Sequence, residues 1–252
     1  MKDLPRTVKI IKRTVHNNDN VTLHLDAHIS YSPGQFLMIW LPGLNEKPFS
    51  IAGHDSDGVM VTVRRRGAFS GRLVELKEGS LIGIRGPYGR PFKLVGNCCI
   101  IAGGIGLACL APVADLYKDA PILYGEDRAS SRIYQERFPS ASFYTTDGSA
   151  GKKGFPTDDL ESVIRERGCD MVYCCGPEPM LVKTVRICNA LGVGCQASME
   201  RYMKCGTGVC GQCACGQVRV CVEGTVFQGN ELLQNPDFGR RRLDASGTWR
   251  PV

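Results

Sequence analysis

The chain is predicted to fold as an antiparallel β-barrel followed by a doubly wound α/β domain with a parallel sheet, closed by a small C-terminal subdomain. Three observations carry this. Up to about Val95, apolar and polar residues alternate in short runs separated by turn residues, as the strands of a small barrel do. From Cys98 the apolar runs lose that alternation and are followed by amphipathic stretches, the pattern of buried parallel strands under covering helices. From Cys195 glycine and cysteine crowd together as CGTGVCGQCACGQVRVC. The expected divisions are therefore 1–95, 96–194 and 195–252.

Within the first division, VKIIKRTVHN, VTLHLD, QFLMIWL, FSIAGH, VMVTVRRR and SLIGIRG are the barrel strands, joined by turns such as NNDN, SPG and DSDG. A helix is expected from Ser70 to Leu76, with the Ser70 hydroxyl capping its first turn. In the second, CCIIAGG leads into the helix GLACLAPVADLYKD, and PILYGE into a helix SSRIYQERF. ASFYTT, the helix DDLESVIRERG, the strand DMVYCCGP and the helix EPMLVKTVRICNALG follow. The third holds the cysteine loop, a hairpin-like VRVCVEGTVF and a polar tail.

Composition narrows the function. Thirteen cysteines in 252 residues, an odd number lodged partly in apolar strands, do not form a secreted disulfide framework, so a reducing cytoplasm is expected. MKDLPRT lacks the apolar core of a signal peptide. The apolar run Cys98–Ala114 is interrupted by GGIG and Pro112, which argues against a membrane span. The net charge of +6 is modest, and its triplets Arg64–Arg66 and Arg240–Arg242 lack interleaved aromatics. That excludes a nucleic-acid platform and leaves anionic cofactors or an acidic protein as partners.

Cys205, Cys210, Cys213 and Cys221 are the candidate metal ligands. CxxxxCxxC is the spacing of a plant-type [2Fe-2S] loop, and the glycines let backbone N–H groups fold toward sulfur. Four thiolates also suit structural zinc, although only one CxxC pair is present. Cys215 competes as fourth ligand; Cys221 is preferred because CAC would force two ligands onto one short extended stretch.

Four other segments have the chemistry of cofactor sites. Gly103, Gly104 and Gly106 end a buried strand and open a helix, where a pyrophosphate is received, although such turns also occur without ligands. Cys175, Gly176 and Pro177 end a later strand. Lys47, Pro48, Phe49 and Ser50 join a cation, a flat ring and a hydroxyl, as a flavin requires; the plainer reading is a proline turn. Gly67, Ser70 and Gly71 offer N–H groups at a helix start for a second phosphate, or a simple cap.

Taken in order, KPFS, GAFSGRL, RGPYGRPF, IAGGIGLACLAPV, TTDGSAGKKGFPTDDL and CGPEPM resemble the ferredoxin-NADP reductase superfamily over nearly the whole chain. CQASMERYMKCGTGVCGQCACGQVRVCVEGTVF is similar to the electron-transfer subunits of dihydroorotate dehydrogenase B. The resemblance implies a flavin-binding barrel, a nicotinamide-dinucleotide domain and a [2Fe-2S] subdomain. FAD would be held by Lys47, Pro48, Phe49, Ser50, Arg64, Gly67, Ser70 and Gly71, with Lys47 standing where the family has arginine.

NAD would be held by Gly103, Gly104, Gly106, Cys175, Gly176 and Pro177. Glu126 would read the adenosine ribose, while Arg128 leaves a 2′-phosphate acceptable. Ser50, Cys175 and Glu200 are the candidate catalytic residues, Glu200 lying near the flavin or, alternatively, pairing with Arg201 at the surface. The implied partner is an FMN-containing dihydroorotate dehydrogenase catalytic subunit in a heterotetramer, with no membrane or nucleic acid involved. Rival readings are the small subunit of a ferredoxin:NADP transhydrogenase or sulfhydrogenase, an oxygenase reductase, and a zinc-bearing regulatory subunit.

Overall fold

A computed structural model describes residues 4–252; the start of MKDLPRT lies outside them. The first strands are β1 (Arg6–Val15), β2 (Asn20–Leu25), β3 (Phe36–Leu41), β4 (Asn45–His54), β5 (Val59–Arg64) and β6 (Leu81–Tyr88). They close into a barrel in the order β1-β2-β5-β4-β3-β6, as their alternation predicts. Ile10, Leu23, Leu37, Ile39, Ile51, Val61 and Ile84 fill it. Helix α1 (Ala68–Glu75) contributes Phe69 and Leu73 to that core.

This helix starts two residues before the expected Ser70. Ser70 still serves its first turn, because its Oγ accepts from the Arg66 and Gly67 N–H groups at 2.8 and 3.2 Å.

The second sheet is built from β7 (Cys98–Gly103), β8 (Ile122–Glu126), β9 (Ser142–Thr145), β10 (Lys152–Lys153), β11 (Met171–Cys175) and β12 (Gly194–Ser198). Helices α2 (Gly106–Leu116), α3 (Leu160–Arg167) and α4 (Glu178–Leu191) cover it. Beyond them come β13 (Ala214–Cys215), β14 (Val218–Arg219), α5 (Val220–Glu223), β15 (Val226–Gln228), α6 (Gly229–Gln234), β16 (Arg241–Leu243) and β17 (Trp249–Pro251).

The sheet order is β10-β9-β8-β7-β11-β12-β15, parallel except for β15. The chain moves outward from β7 through β8 and β9, then returns to place β11 on the other side of β7. That reversal leaves a crevice at the carboxyl ends of β7 and β11, where open α/β sheets bind ligands. GGIG and CGP are the two segments at those ends.

Two expectations are corrected. SSRIYQERF forms no α-helix, only a short 3₁₀ turn at Ala129–Ser131. Tyr134 adopts φ 57°, which a helix cannot contain, and Ile133, Tyr134 and Phe138 are buried instead in the core beneath α2. VRVCVEGTVF is no hairpin either: β14 pairs back to β13, VCVE turns as α5, and β15 joins β12. The expected division after residue 194 falls inside β12, so the cysteine-rich part shares the main sheet. Cys213, Cys215, Cys221, Met199 and Met203 pack into one core with Leu181 and Val185 of α4. Among the described residues no helix is long and apolar enough to cross a membrane.

Candidate functional site

The crevice between β7 and β11 is tight because glycines make it so. A Cβ at Gly106 would run into the Cys175 carbonyl, and one at Gly103 would lie 2.7 Å from Pro177 Cδ and 2.8 Å from Met180 Sδ. Gly176 faces Gly103 in return, its imagined Cβ 2.8 Å from the Gly103 nitrogen. The two segments expected to meet a nicotinamide dinucleotide thus touch, and α2 opens with Gly106 against the end of β11.

Behind the crevice a polar node joins the barrel to the sheet. Cys109 Sγ on α2 lies 3.4 Å from Ser198 Oγ on β12, and Cys175 and Ser50 also influence this thiol. Donation from Cys175, with lesser help from Ser198 and Ser50 against the opposing effect of burial, holds the Cys109 thiol down to about 7. Cys175 is pushed up as the donor of that bond. Cys109 and Ser198 were not legible in sequence, since nothing marks one of thirteen cysteines or a strand-end serine.

On the barrel, Phe49 stacks on Phe69 with centroids 6.1 Å apart, so the flavin motif rests on α1. Lys47 donates from Nζ to the Tyr202 hydroxyl at 2.7 Å and lies 4.1 Å from that ring's centroid. Arg65, Gly67, Ala68, Gly71, Arg72 and Glu75 line an open hollow at the start of α1, in which Arg65 pairs with Glu75 at 2.9 Å and Arg72 is the other cation.

Arg64 does not face that hollow: its guanidinium pairs with Glu126 and donates to Asn20 Oδ1 at 2.8 Å. Glu126, expected to read a ribose, is buried, and also accepts from the Tyr124 hydroxyl at 2.6 Å. Its carboxylate is spent on joining β8 to β5. The exposed groups at that strand end are Asp127 and Arg128.

The cysteine loop crosses from barrel to sheet. Cys205 Sγ accepts from the Thr207 N–H at 3.4 Å, and Cys213 Sγ from the Cys221 N–H at 3.4 Å. Although burial pushes Cys205 up, N–H groups of Cys210 and Thr207 and the Cys210 thiol hold it down to about 6. Cys213 is held down to about 7, chiefly by donation from the Cys221 thiol, which is pushed up in turn. Backbone N–H groups thus turn toward the sulfurs of Cys205 and Cys213, as a glycine-rich iron-sulfur loop requires. Among the described residues no three ligand-type side chains converge as one metal ion would require.

Cys215 lies apart, its Sγ 3.3 Å from an Arg201 nitrogen and 3.4 Å from Asn235 Oδ1. Arg201 is buried and grips Glu178 with both terminal nitrogens, at 2.6 and 2.8 Å. The alternative pairing of Glu200 with Arg201 is thus corrected: Arg201 takes only the Glu200 carbonyl, at 2.8 Å, and the Glu200 side chain is exposed. Glu178 sits inside CGPEPM, so its presence was legible while its role was not. Arg201 Nε is buried without a hydrogen-bond partner.

The family model described as the iron-sulfur cluster binding domain of dihydroorotate dehydrogenase B matches residues 200–233. A probable dihydroorotate dehydrogenase B (NAD(+)) electron transfer subunit of Methanocaldococcus jannaschii is 39% identical, over 94% of this chain and 95% of that protein. The corresponding protein of Thermococcus kodakarensis is 43% identical over 85% and 92%.

The chain belongs to this family of electron transfer subunits. Among solved structures, one described as an NADH-dependent reduced ferredoxin-NADP oxidoreductase superposes with a TM-score of 0.79 at 28% identity, covering 89% of this chain and 88% of that one. Phthalate dioxygenase reductase shares the fold, with a TM-score of 0.62 at 17% identity over 75% of this chain and 66% of that one.

Proposed function

We propose that this subunit passes electrons from the FMN of a dihydroorotate dehydrogenase catalytic subunit, in a heterotetramer, through a [2Fe-2S] cluster and FAD to NAD+. One observation carries the reading. Strand β4 runs past both ends of such a path, packing against α2 behind the nicotinamide crevice and reaching Tyr202 at the root of the cysteine loop through Lys47. A flavin bound there supplies the exchange between the hydride of a nicotinamide and the single electrons of a cluster.

The chain's own residues supply placement. Gly103, Gly104 and Gly106 admit a dinucleotide to the start of α2, and Cys175, Gly176 and Pro177 border its nicotinamide end. Lys47, Pro48, Phe49 and Ser50 orient the flavin ring, while Gly67, Ser70 and Gly71 receive its phosphates. Cys205, Cys210, Cys213 and Cys221 hold the irons. Val209 and Cys210 stand exposed on the loop, where a partner would meet the cluster.

Co-purification with an FMN-containing dihydroorotate dehydrogenase, followed by assay of dihydroorotate-dependent NAD+ reduction, tests the proposal. Coupling that needs both chains is the expected result. Failure by chains loaded with flavin and cluster would overturn it. The superposition on the ferredoxin-NADP oxidoreductase favours a second reading, a subunit exchanging electrons between NAD(P)H and ferredoxin. Reduced ferredoxin replacing dihydroorotate as donor would establish that instead.

A further inference from the structure

We propose that the ion pair between Arg85 and Glu46 sets both the position and the reduction potential of the iron-sulfur cluster, an inference that rests on the four-cysteine reading above. Arg85 on β6 donates from Nε to Glu46 Oε1 on β4 at 2.7 Å, and from a terminal nitrogen to the Cys205 carbonyl at 2.9 Å. Its other terminal nitrogen donates to the Tyr88 hydroxyl at 3.2 Å. The side chains are only 10% and 18% exposed, so water and salt screen them weakly.

The geometry leaves the first ligand no slack. Gly206, the next residue, has φ 75°, and a Cβ there would lie 2.9 Å from Met38 Cγ on β3. The loop is thus laid directly on the barrel wall, with the guanidinium against its first cysteine. The terminal nitrogen that meets the Cys205 carbonyl also donates to Glu46 Oε2 at 2.5 Å, and Glu46 is followed at once by Lys47 of the flavin motif. One strand therefore fixes the loop root relative to the flavin.

The electrostatic consequence follows from sign. Reduction adds one negative charge to the cluster; the cation favours that charge and the carboxylate opposes it. Removing either member changes the local charge by one unit, in opposite senses. A merely structural tie would not distinguish the two removals by sign.

The test uses the full-length holoprotein and its R85Q, R85K and E46Q variants. Iron, sulfide and flavin contents and the visible spectrum are checked first, and the cluster midpoint is then read by redox titration with electron paramagnetic resonance. R85Q should shift the cluster–flavin electron equilibrium toward the flavin by up to about tenfold, which is 59 mV for one electron. E46Q should shift it the other way, and R85K should stay close to wild type. Should R85Q lose its cluster, the opposed shift in E46Q and retention in R85K still decide.

Shifts of the same sign, or no shift in fully loaded variants, would overturn the proposal while leaving the four-cysteine reading intact. A wild-type chain that takes up zinc but no iron-sulfur cluster would remove both.

Discussion

At the scale of single residues, Cys221 and Cys215 make the sharpest contrast. Cys221 is bonded through thiol and N–H to Cys213, whereas Cys215 is engaged by Arg201 and Asn235 in a separate pocket. C221S should abolish the visible iron-sulfur absorbance, and C215S should keep it, at a stability cost of about 1 kcal/mol for a lost hydrogen bond. Absorbance and iron content of the two purified variants check this; the reverse pattern would exchange the ligands. Spacing alone made three ligands legible and left the fourth to the awkwardness of CAC. Glu126 was expected at a ribose because an acidic residue at the end of β8 suits one. In the structure it meets Arg64, a residue of the barrel, and no local pattern reveals that contact.

At the scale of elements, the glycines of the crevice are constraints that a single methyl would break. Gly106→Ala would force the start of α2 off the Cys175 carbonyl. Such overpacking costs about 1–3 kcal/mol, and here it also displaces the dinucleotide turn. Denaturant unfolding should show that loss, and KM for NADH should rise several-fold with flavin content unchanged.

The tail is held by another local device. Asp237 is buried and accepts from Arg241 Nε and the Gly216 N–H, each at 2.7 Å. Burial pushes this carboxyl up, but those hydrogen bonds and the charges of Arg241 and Arg201 outweigh it, leaving its pKa below the ordinary carboxylate value. A depressed folded pKa contributes stability above the unfolded value, about 3.9, and loses it as pH falls through the folded one. D237N should therefore be less stable than wild type near neutrality, and the gap in unfolding free energy should close in acid below about pH 4. Strand and helix identities were legible wherever one period ran unbroken, as in β7 and α4. SSRIYQERF misled because its apolar residues serve contacts beneath α2 rather than one helical face, and Tyr134 turns the chain at positive φ.

At the scale of the molecule, barrel and sheet act as one carrier only if their relative placement is fixed, and the Arg64–Glu126 pair is a buried ionic tie between them. Both side chains are nearly inaccessible, at 11% and 2%. Removing one member strands a charge, a loss of about 3–5 kcal/mol when a buried pair is broken. E126Q keeps the shape and a weaker hydrogen bond, so it should cost less than E126A, and thermal unfolding of both variants measures the difference. Cofactor choice supplies the discriminating readout. Had Glu126 read the adenosine ribose, E126Q would raise the preference for NADPH over NADH. With its carboxylate bound to Arg64 and Tyr124, that ratio should stay within about twofold of wild type. The change should come instead from R128A, which removes the exposed cation best placed to meet a 2′-phosphate and should lower whatever NADPH activity the subunit has. Steady-state kinetics with both nucleotides, on E126Q and R128A, separate the two assignments. A large swing in E126Q with unchanged unfolding would return Glu126 to the nucleotide and leave the domains tied by packing and by their other hydrogen bonds.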